Sequence, residues 1–211
     1  DMEGVLSLKN AGLSFPYLNV DYDFEGESII SLNQQSFIIE DVKLLDTNYK
    51  SKGILSGSIS HQNFEQWFLD LQIVTDNLLA LDTKNTEEAL YYGTAFMGGT
   101  VAISGLTDQL TIDVFGKTNP RTKFVVPLKD VETVDSYRLI HFKSDQIKTE
   151  DRQRELAQEA LKGLSLNIDL EVTKDAQAQV VIDEVNGSQL TGRGSGNLQI
   201  RINTRGKFNM F

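Results

Sequence analysis

Near the end of the chain, Gly192, Arg193, Gly194, Ser195 and Gly196 have the composition of a phosphate-binding loop. A dinucleotide fingerprint needs G-x-G-x-x-G between a strand and a helix, so that the helix N-terminus meets the pyrophosphate. Here the last glycine comes one residue early and an alternating strand pattern follows, so the glycines predict a bend or bulge in a strand. Phe115 to Thr118 match the tail of a Walker A loop, but Thr111 stands where its first glycine belongs, and the stretch reads as a turn. A nucleophilic serine needs G-x-S-x-G and a histidine to take its proton. Ser195 is out of frame, and the two histidines, His61 and His141, lie among polar neighbours that predict solvated rings. Asp21, Asp23 and Glu25 alternate along one strand, a flat solvated row instead of a loop that wraps calcium. No pair among the acids is singled out for glycoside hydrolysis. The reading is a chain with no catalytic residue, no metal site and no cofactor.

The elements that would have to position any site are strands. Leu18, Val20, Tyr22 and Phe24 alternate with Asn19, Asp21 and Asp23, and Leu166, Ile168, Leu170 and Val172 with Asn167, Asp169 and Glu171. This is the period of a strand with one apolar face. It recurs at Val101 and Ile103, at Leu110, Ile112 and Val114, at Ala176, Ala178, Val180 and Ile182, and at Leu198, Ile200 and Ile202, continuing to Phe208 and Met210. Turn signals about ten residues apart join these runs, which predicts an all-β, mostly antiparallel architecture. One inserted helix is expected within residues 145–163, where Leu156, Ala160 and Leu161 form a stripe and Gly163 a C-cap. It belongs to a charged, partly helical insertion over 129–163. Shorter helical turns are expected from Thr86 and around Trp67.

Composition narrows the function. With 211 residues the chain can bury a core, and the absence of cysteine removes disulfides and thiolate chemistry. A net charge of −10 opposes binding to nucleic acid. No window approaches the roughly 20 apolar residues of a membrane helix, and no secretory signal is visible. Any such signal is expected outside residues 1–211, which read as one β segment of a longer protein. The apolar faces allow two outcomes, the core of a sandwich or closed barrel, or an open groove for acyl chains.

Two stretches bear on that choice: ALYYGTAFMGGTVAISGLTDQLTIDVFGKT, residues 89–118, and residues 166–211, where DAQAQVVID precedes GRGSGNLQI. Together they resemble the C-terminal conserved region of the TamB family, of the AsmA-like proteins, in a Bacteroidetes-like form. The resemblance implies a curved sheet folded as an open trough with an apolar interior, in a periplasmic protein anchored in the inner membrane by a segment outside this chain. It implies a non-enzymatic role in outer-membrane protein assembly and phospholipid transport between the two membranes, with an outer-membrane barrel of the BamA and TamA class as partner. The groove-lining residues would then be Val101, Ile103, Leu110, Ile112, Val114, Leu166, Ile168, Leu170, Val172, Val180, Ile182, Leu198, Ile200, Ile202, Phe208 and Met210, each sheltered methylene gaining roughly 0.8 kcal/mol. Exposed apolar surface would also favour self-association of the isolated segment. Two other readings stay open: a scaffold that adds strands of the barrel or its client at a free sheet edge, and an unrelated extracellular β-sandwich that binds glycan. A trough predicts a groove open at both ends, a sandwich a sealed core.

Overall fold

A segment that is apolar at every second residue can bury that face only by lying in a sheet. The computed structural model describes residues 3–16, 18–86, 91–127, 163–183, 186–203 and 209–210, and among these it has no helix. The expected helix at 145–163 and nearly all of the charged 129–163 segment lie outside the described residues, as do Phe208 and His141.

Among the described residues fifteen strands form one open sheet. They are β1 (Glu3–Leu8), β2 (Gly12–Phe15), β3 (Val20–Phe24), β4 (Ser28–Asn33), β5 (Ser36–Asp46), β6 (Lys52–Gln62), β7 (Gln66–Thr83), β8 (Tyr92–Leu106), β9 (Gln109–Thr118), β10 (Lys123–Pro127), β11 (Ser165–Val172), β12 (Gln177–Asp183), β13 (Ser188–Arg193), β14 (Gly196–Asn203) and β15 (Asn209–Met210). The main path runs β1-β4-β5-β6-β7-β8-β9-β11-β14-β15, with β3 also beside β5, β10 beside β8, and β12 and β13 following β10. Pairing is antiparallel except between β9 and β11 and between β10 and β12. The fold is the curved, mostly antiparallel trough expected from the sequence. Around Trp67 the expected helical turn is instead a tight hairpin: Asn63 and Phe64 take positive φ, and Trp67 lies at the start of β7, next to its first residue Gln66.

One line across the sheet breaks every ladder from β7 onward. Between β7 and β8 it falls between the pairs Thr75 with Gly99 and Leu78 with Met97. In the next ribbon it separates β9 from β10, and in the one after it separates β11 from β12, yet register is kept: Lys117 faces Glu171 before the break and Lys123 faces Gln177 after it. In the last ribbon it lies at Gly194 and Ser195, between Gly196 opposite Val172 and Arg193 opposite Gln177.

The sheet creases along this line, and polar side chains take the backbone groups it frees. Asn119 Nδ2 donates to Asp76 O at 2.7 Å, and Thr75 Oγ1 donates to Lys52 O at 2.6 Å while accepting from Asn77 N at 3.0 Å. Thr122 Oγ1 accepts from Phe96 N at 3.0 Å and donates to Asn119 O at 2.7 Å. Thr173 N donates to Thr118 Oγ1 at 2.9 Å, and Thr173 Oγ1 donates to Thr118 O at 3.0 Å. Each such bond is worth about 1 kcal/mol net, and more is lost if its partner is left buried and unpaired.

At the crease the backbones approach closely at Gly99, which has φ +148 and where a Cβ would collide with the carbonyl oxygen of Phe115. The glycines that drew attention in the sequence behave differently. They flank the crease as expected, but a Cβ on Gly192, Gly194 or Gly196 would meet nothing within 4 Å, and none of the three has positive φ. Curvature is therefore enforced by glycine in β8 and only permitted by it between β13 and β14. Gly99→Ala is expected to lower unfolding stability by roughly 2 kcal/mol and Gly194→Ala by less than about 0.5 kcal/mol; urea midpoints of the two variants check the contrast.

Candidate functional site: an apolar wall and a filled end

Directly paired residues share a face of the sheet, so register decides which apolar side chains meet. Ile73 of β7 faces Val101 of β8, Val101 faces Val114 of β9, Val114 faces Ile168 of β11, and Ile168 faces Ile200 of β14. A second row runs through Leu71, Ile103, Ile112 and Leu166, and a third through Gly116, Leu170 and Leu198. The backbone register continues the first row to Met210 and the second to Ile202. Val172 ends the face beside Gly196, and Leu110 ends it beside Gly105. Most of the residues assigned from sequence to one apolar face are thus brought together on one wall.

Burial along this wall is graded. Between β3 and β8 it is a packed core in which Leu44 and Leu79 are fully buried and Phe96 and Leu55 are each 1% exposed. Val101, Leu110 and Ile112 pack half-buried against its margin, with Ile103 at 6%. Farther along, Val114, Leu166, Ile168, Leu170, Val172, Leu198 and Ile200 are all half-buried. Among the described residues the interior is therefore not a groove open at both ends: one end is filled and the other is less covered.

The filling comes from β2 and β3, which fold across to β7. Asp82 N donates to Leu18 O at 2.9 Å, and Asn19 Nδ2 donates to Asp82 O at 2.6 Å. The Tyr22 phenol donates to Leu79 O at 2.6 Å. Asp46, fully buried, is held by Asn48 N, Tyr49 N, Ser51 N and Ser51 Oγ at 2.8 to 3.2 Å, which shapes the turn after β5. That turn carries Tyr49 edge-on to Phe96, with the Arg121 guanidinium 4.5 Å from the Phe96 ring centre.

Beyond the crease the other wall has its own parity. Val125 of β10 is 2% exposed, and its register partner on β12 is Gln179. Val181 is 8% exposed, whereas Ile182 is 54% exposed and Val180 only half-buried. The sequence reading carried the parity of β11 into β12 and so placed Val180 and Ile182 on the apolar face. The four-residue corner after Val172 shifts the phase by one, and pairing to β10 then turns Gln179 and Val181 inward. This wall becomes polar toward β13, where Gln179 donates a hydrogen bond to Gln189 and Thr191 sits opposite Gln179.

Among the described residues no catalytic grouping assembles. No cluster of His, Asp and Glu suited to a metal ion occurs among the described residues. Asp21 and Asp23 are exposed while Val20 and Tyr22 are buried, the solvated row that alternation implies. His61 departs from its sequence reading. It lies on the inner face opposite Trp67, is 7% exposed, and stacks on Phe64 with ring centres 3.9 Å apart. Its polar sequence neighbours point to the other face, which is why a local reading took it for a solvated ring.

Residues 42–211 match the family model of the TamB C-terminal domain. The chain belongs to the TamB family. The match starts within β5, so β1 to β4, including the strands that fill one end, precede it. Comparison with curated proteins and with solved structures gives no match. The TamB family is a non-enzymatic transport and assembly component of the cell envelope, acts in outer-membrane biogenesis, and works with an outer-membrane barrel. No helix among the described residues is long and apolar enough to cross a membrane.

Two outcomes follow from the graded interior. Leu79→Ala is expected to cost about 2 to 5 kcal/mol because it opens a cavity, and Ile200→Ala only about 1 kcal/mol because part of its surface is already wet; chemical denaturation separates them. Burial, and secondarily the charge of Asp46, push the Tyr22 phenol well above its ordinary value of 10.0. The unfolded chain therefore loses this proton first. The stabilisation is complete below pH 10.0 and falls as pH rises above it. Tyr22→Phe should flatten the loss of stability measured by denaturation above that pH, while lowering neutral stability by about 1 kcal/mol through the missing bond to Leu79.

Proposed function

We propose that this segment shelters acyl chains on the wall formed by β9, β11 and β14 as phospholipid moves through the periplasm between the inner and outer membranes. The observation that carries the reading is the uninterrupted apolar register from Val101 through Val114 and Ile168 to Ile200, half-buried instead of sealed. A solvent-facing row of this length loses free energy unless something apolar covers it, at about 25 cal/mol per Å2 covered. The opposing wall supplies Gln179, Gln189 and Thr191. An amphiphile lying across the crease would meet hydrocarbon on one side and amides and a hydroxyl on the other.

The filled end bounds the proposal. Acyl chains would lie along the half-buried wall of β9, β11 and β14, not between β3 and β8, where Leu44, Leu79 and Phe96 already close the interior. The full-length protein would be anchored in the inner membrane outside this chain and would deliver to a barrel of the BamA and TamA class. A second reading, strand addition, is favoured by β1 and β13: each pairs along one side only among the described strands, and β13 is exposed at every position. Such edges offer main-chain hydrogen bonds to a strand of the barrel or of its client.

Photocrosslinking amino acids at Ile112 and Ile200, in the full-length protein in cells, are expected to capture phospholipid. Substitutions at Thr111 and Gln199, one residue along each strand and on the opposite face, are expected to capture little. Equal lipid labelling at all four positions would remove the acyl-groove reading, and protein adducts at Leu190 in β13 without lipid at Ile200 would favour strand addition.

A further inference from the structure

We propose a second binding site, for an uncharged pyranoside glycan, on the outer face at the tips of the β4–β5 and β6–β7 hairpins. Register lays Ser36, Ser60, Phe68 and Leu106 side by side across β5, β6, β7 and β8. They lie on the face opposite Trp67 and Leu71, so the row looks away from the acyl wall. The two hairpin turns rise at its edge, and together they form an open hollow of about 570 Å3. That is within the size range of small-ligand sites.

The lining is unusual for this chain. Six carboxamide residues, Asn33, Gln34, Gln35, Gln62, Asn63 and Gln66, line the hollow together with His61, and no Asp, Glu, Lys or Arg does, although these make up 24% of the chain. A carboxamide donates and accepts at once, which suits adjacent hydroxyls that do the same. Phe68 is 45% exposed and supplies a flat apolar surface for the C–H face of a sugar ring, with Leu106 beside it. The absence of cations gives an anionic ligand no counter-charge, and the absence of carboxylates does the same for a cation.

The frame behind the hollow is cross-braced. His61 N donates to Gln35 O at 2.9 Å, fastening the first turn to β6, and Phe64 N donates to His61 Nδ1 at 3.2 Å within the second. Phe37, His61, Phe64 and Trp67 pack ring to ring on the inner side of the same tips. The backbone that carries the carboxamides is therefore braced before a ligand arrives, which reduces part of the ordering cost of binding.

The test is a titration of the isotope-labelled 211-residue chain with the uncharged tetrasaccharide of β-1,4-linked N-acetylglucosamine, followed by amide chemical shifts. Saturable shifts at Gln34, Gln62 and Phe68 are expected, with a dissociation constant in the high-micromolar to millimolar range. Phe68→Ala, and separately Gln62→Ala with Gln66→Ala, should each weaken binding at least tenfold. A carboxylate-bearing tetrasaccharide should shift none of these amides. Co-sedimentation with purified cell-wall sacculi, set against flotation with glycolipid vesicles, distinguishes the two sources of such a glycan. No saturable shift at the hollow, or equal affinity in both folded variants, would overturn the site. Neither result bears on the acyl wall, which lies on the opposite face.

Discussion

The crease is the constraint on which the rest of this sheet depends. A pleated sheet with one apolar face must either find a second layer or fold onto itself, and folding requires every strand that crosses the line to surrender ladder hydrogen bonds at the same place. Here the surrender is shared by β7, β8, the β9–β10 corner, the β11–β12 corner and the β13–β14 link, all in register. Thr75, Asn119, Thr122 and Thr173 replace the missing bonds with short side-chain contacts. Without them the line would be a row of unsatisfied backbone groups, and a straighter sheet would compete.

The same line explains why the two walls differ. Each corner contains a number of residues that shifts the inward phase by one, so the even-numbered apolar residues of β9 and β11 give way to odd-numbered positions in β10 and β12. Val125 and Val181 keep the second wall apolar at first, and Gln179 and Thr191 end it. The first wall has no such change: valine, isoleucine and leucine recur in β9, β11 and β14 with a glycine only where strands approach. An interior made this way is amphipathic across its width, a property that neither wall has alone.

Much of this was legible in the residues. Period-two alternation over Leu18 to Phe24, Leu110 to Val114 and Leu166 to Val172 survives because each lies within a single uninterrupted ladder, where local pattern and long-range pairing demand the same thing. The reading failed where a corner intervened. Nothing local in Ala176 to Ile182 reveals that the strand has changed phase, because the corner before it is defined by hydrogen bonds to Thr118 and Thr122, more than fifty residues back. His61 was misjudged for a related reason, since its partners Phe37 and Trp67 come from two other strands. The carboxamides at the hairpin tips carry no site signal in the sequence. Their convergence depends on two separate turns meeting at one end of the sheet, which spacing along the chain does not encode. The conspicuous glycines near Arg193 marked the crease correctly, but a crease position where a side chain would collide with backbone, Gly99, lay in a less conspicuous pair.

Parallel pairing of β9 with β11 and of β10 with β12 carries a further consequence for an envelope protein of the TamB family. When two ribbons run parallel and crease at the same register, the second reproduces the curvature of the first, and a third can do so again without any new closure being required. The antiparallel ribbon β13–β14 meets the same condition, since its break falls opposite the corner of β11–β12. A trough built this way is extended by adding ribbons at its edge and is blocked only where strands fold across it, as β2 and β3 do. Extension requires no matching of a preformed partner surface, only alternation on one wall and a polar break at the right residue. Those are weak demands on sequence, and they allow an apolar path to lengthen while the identity of its lining residues drifts.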